Sequence, residues 1–239
     1  MTTSKSPNNI ARVAYQTAKQ SIPAYRTIKS PKKFTQHQLV ACLVLKEFFK
    51  KDYRGIGEII EDSSDLKRIL ELEEIPHYTT LQKAAQRLTK KNTLDKLITE
   101  ILSLAVKGKI MKKKILLSAL DGTELESHHI SKYFVKRRDK SASYYQMTHY
   151  TRYPKVGIIV DCKSHIILSG IPGRGPFPDH VHFKKAVTEA QKNISFQTLL
   201  ADAGYDSEKA HVFAREKHHT RTIIPPHGGR KTTKLPTGK

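Results

Sequence analysis

The chain has no tryptophan and only two cysteines among its 239 residues. Cys42 and Cys162 lie in apolar stretches without a CxxC spacing, which excludes a disulfide framework and a thiolate zinc site. Both read as small buried hydrophobes of a reducing compartment. Long apolar runs are missing as well. The longest, Leu39–Leu45 and Val156–Val160, fall far short of the roughly 20 residues that span a bilayer. The N-terminus lacks the apolar segment of a signal peptide. A cytoplasmic protein with no membrane partner is therefore expected. Acidic side chains are scarce: 22 Asp+Glu stand against 43 Lys+Arg, a formal charge of +21. So basic a chain calls for an acidic partner, and a nucleic-acid backbone is the commonest.

The excess is not confined to a tail. Residues 1–115 carry 23 basic and 11 acidic side chains, and residues 116–239 carry 20 and 11. Both halves are thus expected to meet the polyanion, with binding that weakens steeply in salt. The hydrophobic fraction of 38% is low but sufficient for one large domain or two modest ones.

Three stretches emerge along the chain. Residues 1–35, polar, basic and punctuated by Pro7, Pro23 and Pro31, read as a poorly ordered lead-in with one short helix over Ile10–Gln20. Residues 36–114 read as helical. Leu39, Leu43, Phe48 and Phe49, with Val40, Val44 and Leu45, form a broad apolar stripe. Short helices follow around Ile56–Ile60 and Asp65–Leu72. Thr79 or Thr80 is placed to cap a helix that carries Leu81, Ala84, Ala85 and Leu88 on one face. Gln82, Lys83, Gln86 and Arg87 lie on its other face, the amide and basic groups that can read base edges in a major groove. A short helix, a turn and such a capped helix make a helix-turn-helix, although an ordinary surface helix has the same pattern. Leu94–Val106 is a further amphipathic helix, and Lys107–Lys114 is a basic connector.

In residues 115–239 the period changes. Ile115–Leu120 is a continuous apolar run ending in Asp121-Gly122-Thr123, as a buried strand that presents a carboxylate would. Lys155–Asp161 and His165–Gly170 read as a hairpin. A helix over Phe183–Lys192, a strand over Thr198–Ala201 ending in Asp202, a helix over Ser207–Lys217 and a strand over Thr220–Pro225 complete the order. Asp121 and Asp202 thus share one context. Each follows a buried strand, and each precedes a Gly closely. On adjacent parallel strands, spaced about 4.8 Å, such carboxylates repel unless a cation lies between them. Mg²⁺, a hard ion held by carboxylates and substrate phosphate oxygens, is the natural candidate. Capping of the following turn is the bland alternative for either residue taken alone.

Leu120-Asp121-Gly122-Thr123-Glu124-Leu125, Arg174-Gly175-Pro176 with Asp179, and Leu200-Ala201-Asp202-Ala203-Gly204-Tyr205-Asp206-Ser207 together resemble the catalytic domain of DDE transposases of the IS4/IS5 type, encoded by insertion sequences. The resemblance covers roughly Gln36 to the C-terminus. It implies an α/β, ribonuclease H-like mixed sheet flanked by helices, preceded by a small all-α region that binds DNA. It implies Asp121 and Asp202 as catalytic, Mg²⁺-binding (or Mn²⁺-binding) carboxylates, and Asp179 as a neighbour of the active site. The implied partners are double-stranded DNA, both terminal repeats and target, and further copies of the chain assembled on that DNA, at the nucleoid. The family's third acidic residue, a Glu on a helix beyond the last strand, has no counterpart, because Glu189, Glu208 and Glu216 all precede that point. A truncated form of weak or no activity is the corresponding expectation. A non-catalytic DNA-binding protein and a ribonuclease H-like nuclease are the competing readings.

Weaker signals remain. Asp179 also suits the N-cap of the helix that follows it. His128, His129, His149, His180 and His182 match no closed zinc spacing. Lys136, Arg137 and Arg138, near Tyr144 and Tyr145, combine basic and aromatic groups as a DNA-contact loop would. Gly228-Gly229-Arg230-Lys231 lacks the first Gly of a phosphate loop.

Overall fold

The computed structural model describes residues 5–88, 93–125, 134–138, 147–151, 153–175, 178 and 180–226; for 134–138 and 147–151 it describes the backbone. The chain forms two compact units, Met1–Ser103 and Leu104–Lys239.

The first unit is helical. It holds α1 (Pro7–Ser21), α2 (Gln36–Phe48), α3 (Tyr53–Glu61), α4 (Ser64–Ile69) and α5 (Tyr78–Leu88), with most of α6 (Thr93–Lys107). The lead-in, expected to be poorly ordered beyond one short helix, carries the whole of α1. Ser6 accepts a hydrogen bond from the Asn9 amide, and Pro7 stands in the first turn, where its missing N–H costs nothing. Ala11, Tyr15 and Ala18, at helical spacing, are buried against the core that Leu39, Leu45, Ile56, Ile60, Leu66, Leu81 and Ala84 form. Three small or aromatic positions in a polar stretch therefore sufficed to anchor it. The expected cap at Thr79 or Thr80 is also corrected. Helix α5 begins at Tyr78, both threonines lie in its first turn, and the Thr79 hydroxyl meets the His77 ring at 2.8 Å. Pro76, outside the helix, sets the entry two to three residues earlier than a threonine cap would. The connection from α4 to α5, Leu70–His77, is longer than the turn of about three to four residues of a compact helix-turn-helix.

The second unit is built on a five-stranded sheet ordered β5-β4-β1-β6-β7. Its strands are β1 (Lys114–Glu124), β4 (Tyr153–Asp161), β5 (Ile167–Gly175), β6 (Ser195–Ala201) and β7 (Arg221–Ile223); β2 (Phe134–Arg138) and β3 (Met147–Thr151) pair separately as a two-stranded sheet. Strands β5, β4 and β1 are antiparallel neighbours, and β1, β6 and β7 run parallel. This mixed sheet, with helices in its crossovers, is the expected ribonuclease H-like fold. Helix α7 (His180–Asn193) connects β5 to β6, and α8 (Glu208–Val212), continued by a π-helical turn over Phe213–Lys217, connects β6 to β7. One face of the sheet is sealed by α7: Phe183, Ala186, Val187 and Ala190 are buried, as are Leu120, Ile159, Leu168 and Ile171 on the strands. Burying each such aliphatic or aromatic side chain contributes about 1.5–3 kcal/mol.

Two local readings change. Lys136–Arg138, expected in a loop, lie on β2, paired to β3 from Phe134↔Thr151 to Arg138↔Met147; Phe, Val, Thr and Tyr in these segments favour a strand. The β4–β5 hairpin turns where expected. The Asp161 carboxylate accepts from the amides of Lys163 and Ser164 and from the Ser164 hydroxyl, and His165 takes a positive φ of 58°. Among the described residues no helix is long and apolar enough to cross a membrane.

Candidate active site

The two strand-end aspartates stand at the same end of one parallel ladder. The β1–β6 ladder runs to Leu120↔Ala201 and stops. Asp121 and Asp202 are the next residues on either strand. Side chains alternate along a strand, and Leu120 is buried, so Asp121 projects from the face opposite it; Asp202 lies just past the end of β6. Both are exposed. Asp121 differs from expectation in one respect: it lies within its strand, not beyond it. Its other neighbour, β4, continues the antiparallel ladder through Asp121↔Ile158 to Glu124↔Lys155, so β1 outlasts β6 by several residues.

Local bonds fix each carboxylate. Asp121 Oδ1 accepts from the Gly122 amide at 2.7 Å. Asp202 Oδ1 accepts from the Gly204 amide at 3.1 Å and caps the short 3-10 turn Ala203–Tyr205. The capping role weighed for these residues therefore holds for Asp202. At Gly204 an added Cβ would stand 3.2 Å from Asp202 Oδ1, so a side chain there would push the carboxylate aside.

The rest of the Asp202–Ser207 segment is the frame of this turn. The Tyr205 ring is buried at 1% exposure and packs on Phe183 of α7, with ring centroids 6.2 Å apart. Asp206 lies 3.6 Å from His211 Nε2, and His211 Nδ1 meets the Thr222 hydroxyl at 2.6 Å. Ser207 accepts from the Ala210 amide and caps α8. Thus β6, α8 and β7 are tied around Asp202. His211 and Thr222 were not singled out in the sequence, since nothing in their spacing announces the contact.

The remaining predicted residues fall elsewhere. Asp179 lies outside the described residues, as do Tyr144, Tyr145, His128 and His129. Lys136, Arg137 and Arg138 sit on β2, where only the backbone is described. On α5, Gln82, Lys83 and Gln86 are exposed, whereas Arg87 is half-buried with its Nε inaccessible. The amide-and-basic face of α5 therefore holds three of its four expected members. Glu189 pairs with Lys192 on α7 at 2.7 Å, and Glu208 lies in the first turn of α8. His182 packs against the sheet, its imidazole over Gly173 and its Cβ 3.4 Å from a Cβ added at Gly157.

Among the described residues no three His, Cys, Asp or Glu side chains group as a metal site. The donor set at the strand ends is two exposed carboxylates. A hard cation fits it: Mg²⁺ and Mn²⁺ take oxygen ligands, and Mg²⁺ is usually held by one or two carboxylates with the remaining positions filled by water and substrate phosphate. Burial pushes the Cys42 thiol up to about 12, and Cys162 is likewise raised, by burial and then by Asp161. Neither is a nucleophile at neutral pH.

No known family's sequence profile matches the chain, and no curated protein matches it. Among solved structures it is similar to one described as the Mos1 mariner paired end complex with Mn, with a TM-score of 0.30 and 11% identity. The match covers 89% of this chain and 66% of that one. A likeness so slight carries no argument about function.

Proposed function

We propose that the chain is a DDE transposase of an insertion sequence, of the IS4/IS5 type, that cuts and joins double-stranded DNA with Asp121 and Asp202 as its metal-binding carboxylates. One observation supports this above all: the parallel ladder ends at Leu120↔Ala201, one residue before each of two exposed aspartates. Carboxylates within a few ångströms of each other repel, and a cation between them relieves the repulsion. Bound there, Mg²⁺ or Mn²⁺ would stabilise charge on the attacking and leaving oxygens of a phosphodiester. The amides of Gly122 and Gly204 hold one oxygen of each carboxylate, which limits the rotation of both side chains. The helical region, residues 36–114, is the DNA-binding part in this reading. Gln82, Lys83 and Gln86 on α5 supply base contacts, and Lys136, Arg137 and Arg138 supply phosphate contacts.

The test is strand transfer of a labelled duplex bearing the element's terminal repeat, in Mn²⁺ and in Mg²⁺. The expected result is a weak joined product from the wild type, in keeping with two acidic residues rather than three, and none from Asp121→Asn or Asp202→Asn. Equal product from wild type and both variants would overturn the assignment. A ribonuclease H-like nuclease would use the same carboxylate pair. It would give cleaved duplex or hybrid without joined product in this assay, so the two readings part on one gel.

A further inference from the structure

Beside the amide-bearing face of α5 lies a cavity of about 480 Å³, bounded by the loop that precedes α2, by α2 itself and by α5. Its size is within the range of ligand sites, roughly 300–1,000 Å³. No acidic side chain lines it, and three basic ones do: Arg26, Lys33 and Arg87. Lys33 is paired with Glu74, so its charge is answered. Arg87 is different. Its Nε is buried and has no hydrogen-bond partner. A buried guanidinium donor without an acceptor is unfavourable, and the side chain that carries it lines a cavity with no acidic residue in its wall. Thr80, two turns earlier on the same stripe of α5, brings a hydroxyl to the same wall. Tyr25 and Phe34 supply flat aromatic walls.

The loop is held in place by its own bonds. The Tyr25 hydroxyl donates to the Lys32 carbonyl at 3.2 Å, and the Gln36 amide donates to the Ala24 carbonyl at 2.7 Å. The Gln36 side chain also donates to the Pro23 carbonyl at 2.9 Å. Both ends of the loop are therefore fastened to the start of α2, and Arg26 is carried between them.

We propose that this cavity is a phosphate-binding site in which Arg87, aided by Arg26, holds a phosphate group. Guanidinium groups suit phosphate because their planar donors match its oxygens in pairs. The phosphate can belong to the backbone of duplex DNA or to a free phosphate compound such as a nucleotide. The first source rests on the DNA reading above and would fix the height at which α5 meets the duplex; the second does not depend on it.

The experiment has two arms, on the full chain. In the first, thermal midpoints are measured with and without millimolar inorganic pyrophosphate for wild type, Arg87→Gln and Arg26→Gln. A bound anion raises the midpoint of the wild type. Arg87→Gln should abolish the rise, and Arg26→Gln, an exposed change that leaves the fold untouched, should at least halve it. An absent rise in wild type, or an unchanged rise in either variant, overturns the site. In the second arm, the affinity for a random-sequence duplex is followed against salt. If the phosphate is a backbone one, Arg87→Gln weakens binding about equally for all sequences and reduces the log–log salt slope by about one. An unchanged slope with the pyrophosphate effect intact assigns the site to a free phosphate compound. A wild type that fails to bind duplex refutes the DNA reading, while the pyrophosphate arm still decides the cavity.

Discussion

Gly173 shows how a single missing methyl group can position an element. A Cβ there would collide with the imidazole of His182 on α7, so β5 and α7 approach as they do only because position 173 has no side chain. Gly173→Ala should destabilise the second unit by about 1–3 kcal/mol, the range for overpacking a closed interface. It should be read as a lower urea midpoint at unchanged slope. Adding His182→Ala should recover part of the loss, and strict additivity of the two changes would rule out the contact as the cause. A second residue-scale effect is pH-dependent. Glu71 accepts from the Tyr15 hydroxyl at 2.7 Å and from Lys19 at 3.0 Å, and these two bonds hold its carboxyl below the usual carboxylate range. A carboxyl lowered by folding stabilises the native state above its unfolded pKa, and that contribution is lost as pH falls through the folded value. Tyr15→Phe should therefore cost about 0.5–1 kcal/mol at pH 7, the low end for a bond to a charged group because Glu71 is largely exposed. The difference from wild type should shrink as the pH falls below the usual carboxylate range and Glu71 takes up its proton. A gap that persists there would point to packing instead.

At the scale of elements, α2 depends on a reciprocal cap. The Thr35 hydroxyl accepts from the Gln38 amide at 3.2 Å, while Gln38 Oε1 accepts from the Thr35 amide at 2.8 Å. Gln38 has a second task, since its Nε2 donates to the Glu71 carbonyl at 2.7 Å and ties α2 to the turn after α4. Thr35→Ala should cost about 1 kcal/mol. Gln38→Ala should cost more, because it also leaves a partly buried carbonyl without its donor; urea titration of both variants checks the order. The elements that the sequence revealed are those whose signal is local. The apolar run before Asp121, the alternation in β4 and the stripe of α2 each state their type within a few residues. The reading fell short where a neighbour decides. Helix α1 was read over Ile10–Gln20, close to its extent, but the stretch around it looked poorly ordered because its buried face is only two alanines, a threonine and a tyrosine. Lys136–Arg138 looked like a loop because their partner strand begins several residues later. Strand β1 was ended at Leu120 because its extension depends on β4, far along the chain. The aspartate pair was legible as two similar contexts, whereas their adjacency needed the register Leu120↔Ala201. The His211 contacts to Asp206 and Thr222 had no local signal at all.

For the whole molecule the dominant quantity is the formal charge of +21. The described ion pairs are mostly exposed, such as Arg68–Asp65 and Lys192–Glu189, and pairs of that kind contribute about 0–1 kcal/mol. They do little to cancel the positive field. A chain so charged repels itself when free, and a polyanion relieves that repulsion by exchanging condensed counterions for lysine and arginine. Duplex affinity should therefore fall linearly on a log–log plot against salt. If six to ten phosphates are contacted, the loss between 50 mM and 200 mM is about 10³–10⁵-fold. Substitutions on the exposed face of α5 should behave differently from this background. Gln82→Ala and Gln86→Ala remove no charge, so they should leave the slope unchanged and lower only the preference for a cognate end over random duplex, by about 1–3 kcal/mol for each base edge no longer read. Lys83→Gln should flatten the slope by about one. Anisotropy titrations at four salt concentrations, on cognate and random duplexes, separate the two behaviours. If all three variants shift cognate and random binding alike, α5 touches only the backbone and the reading of bases falls to another element.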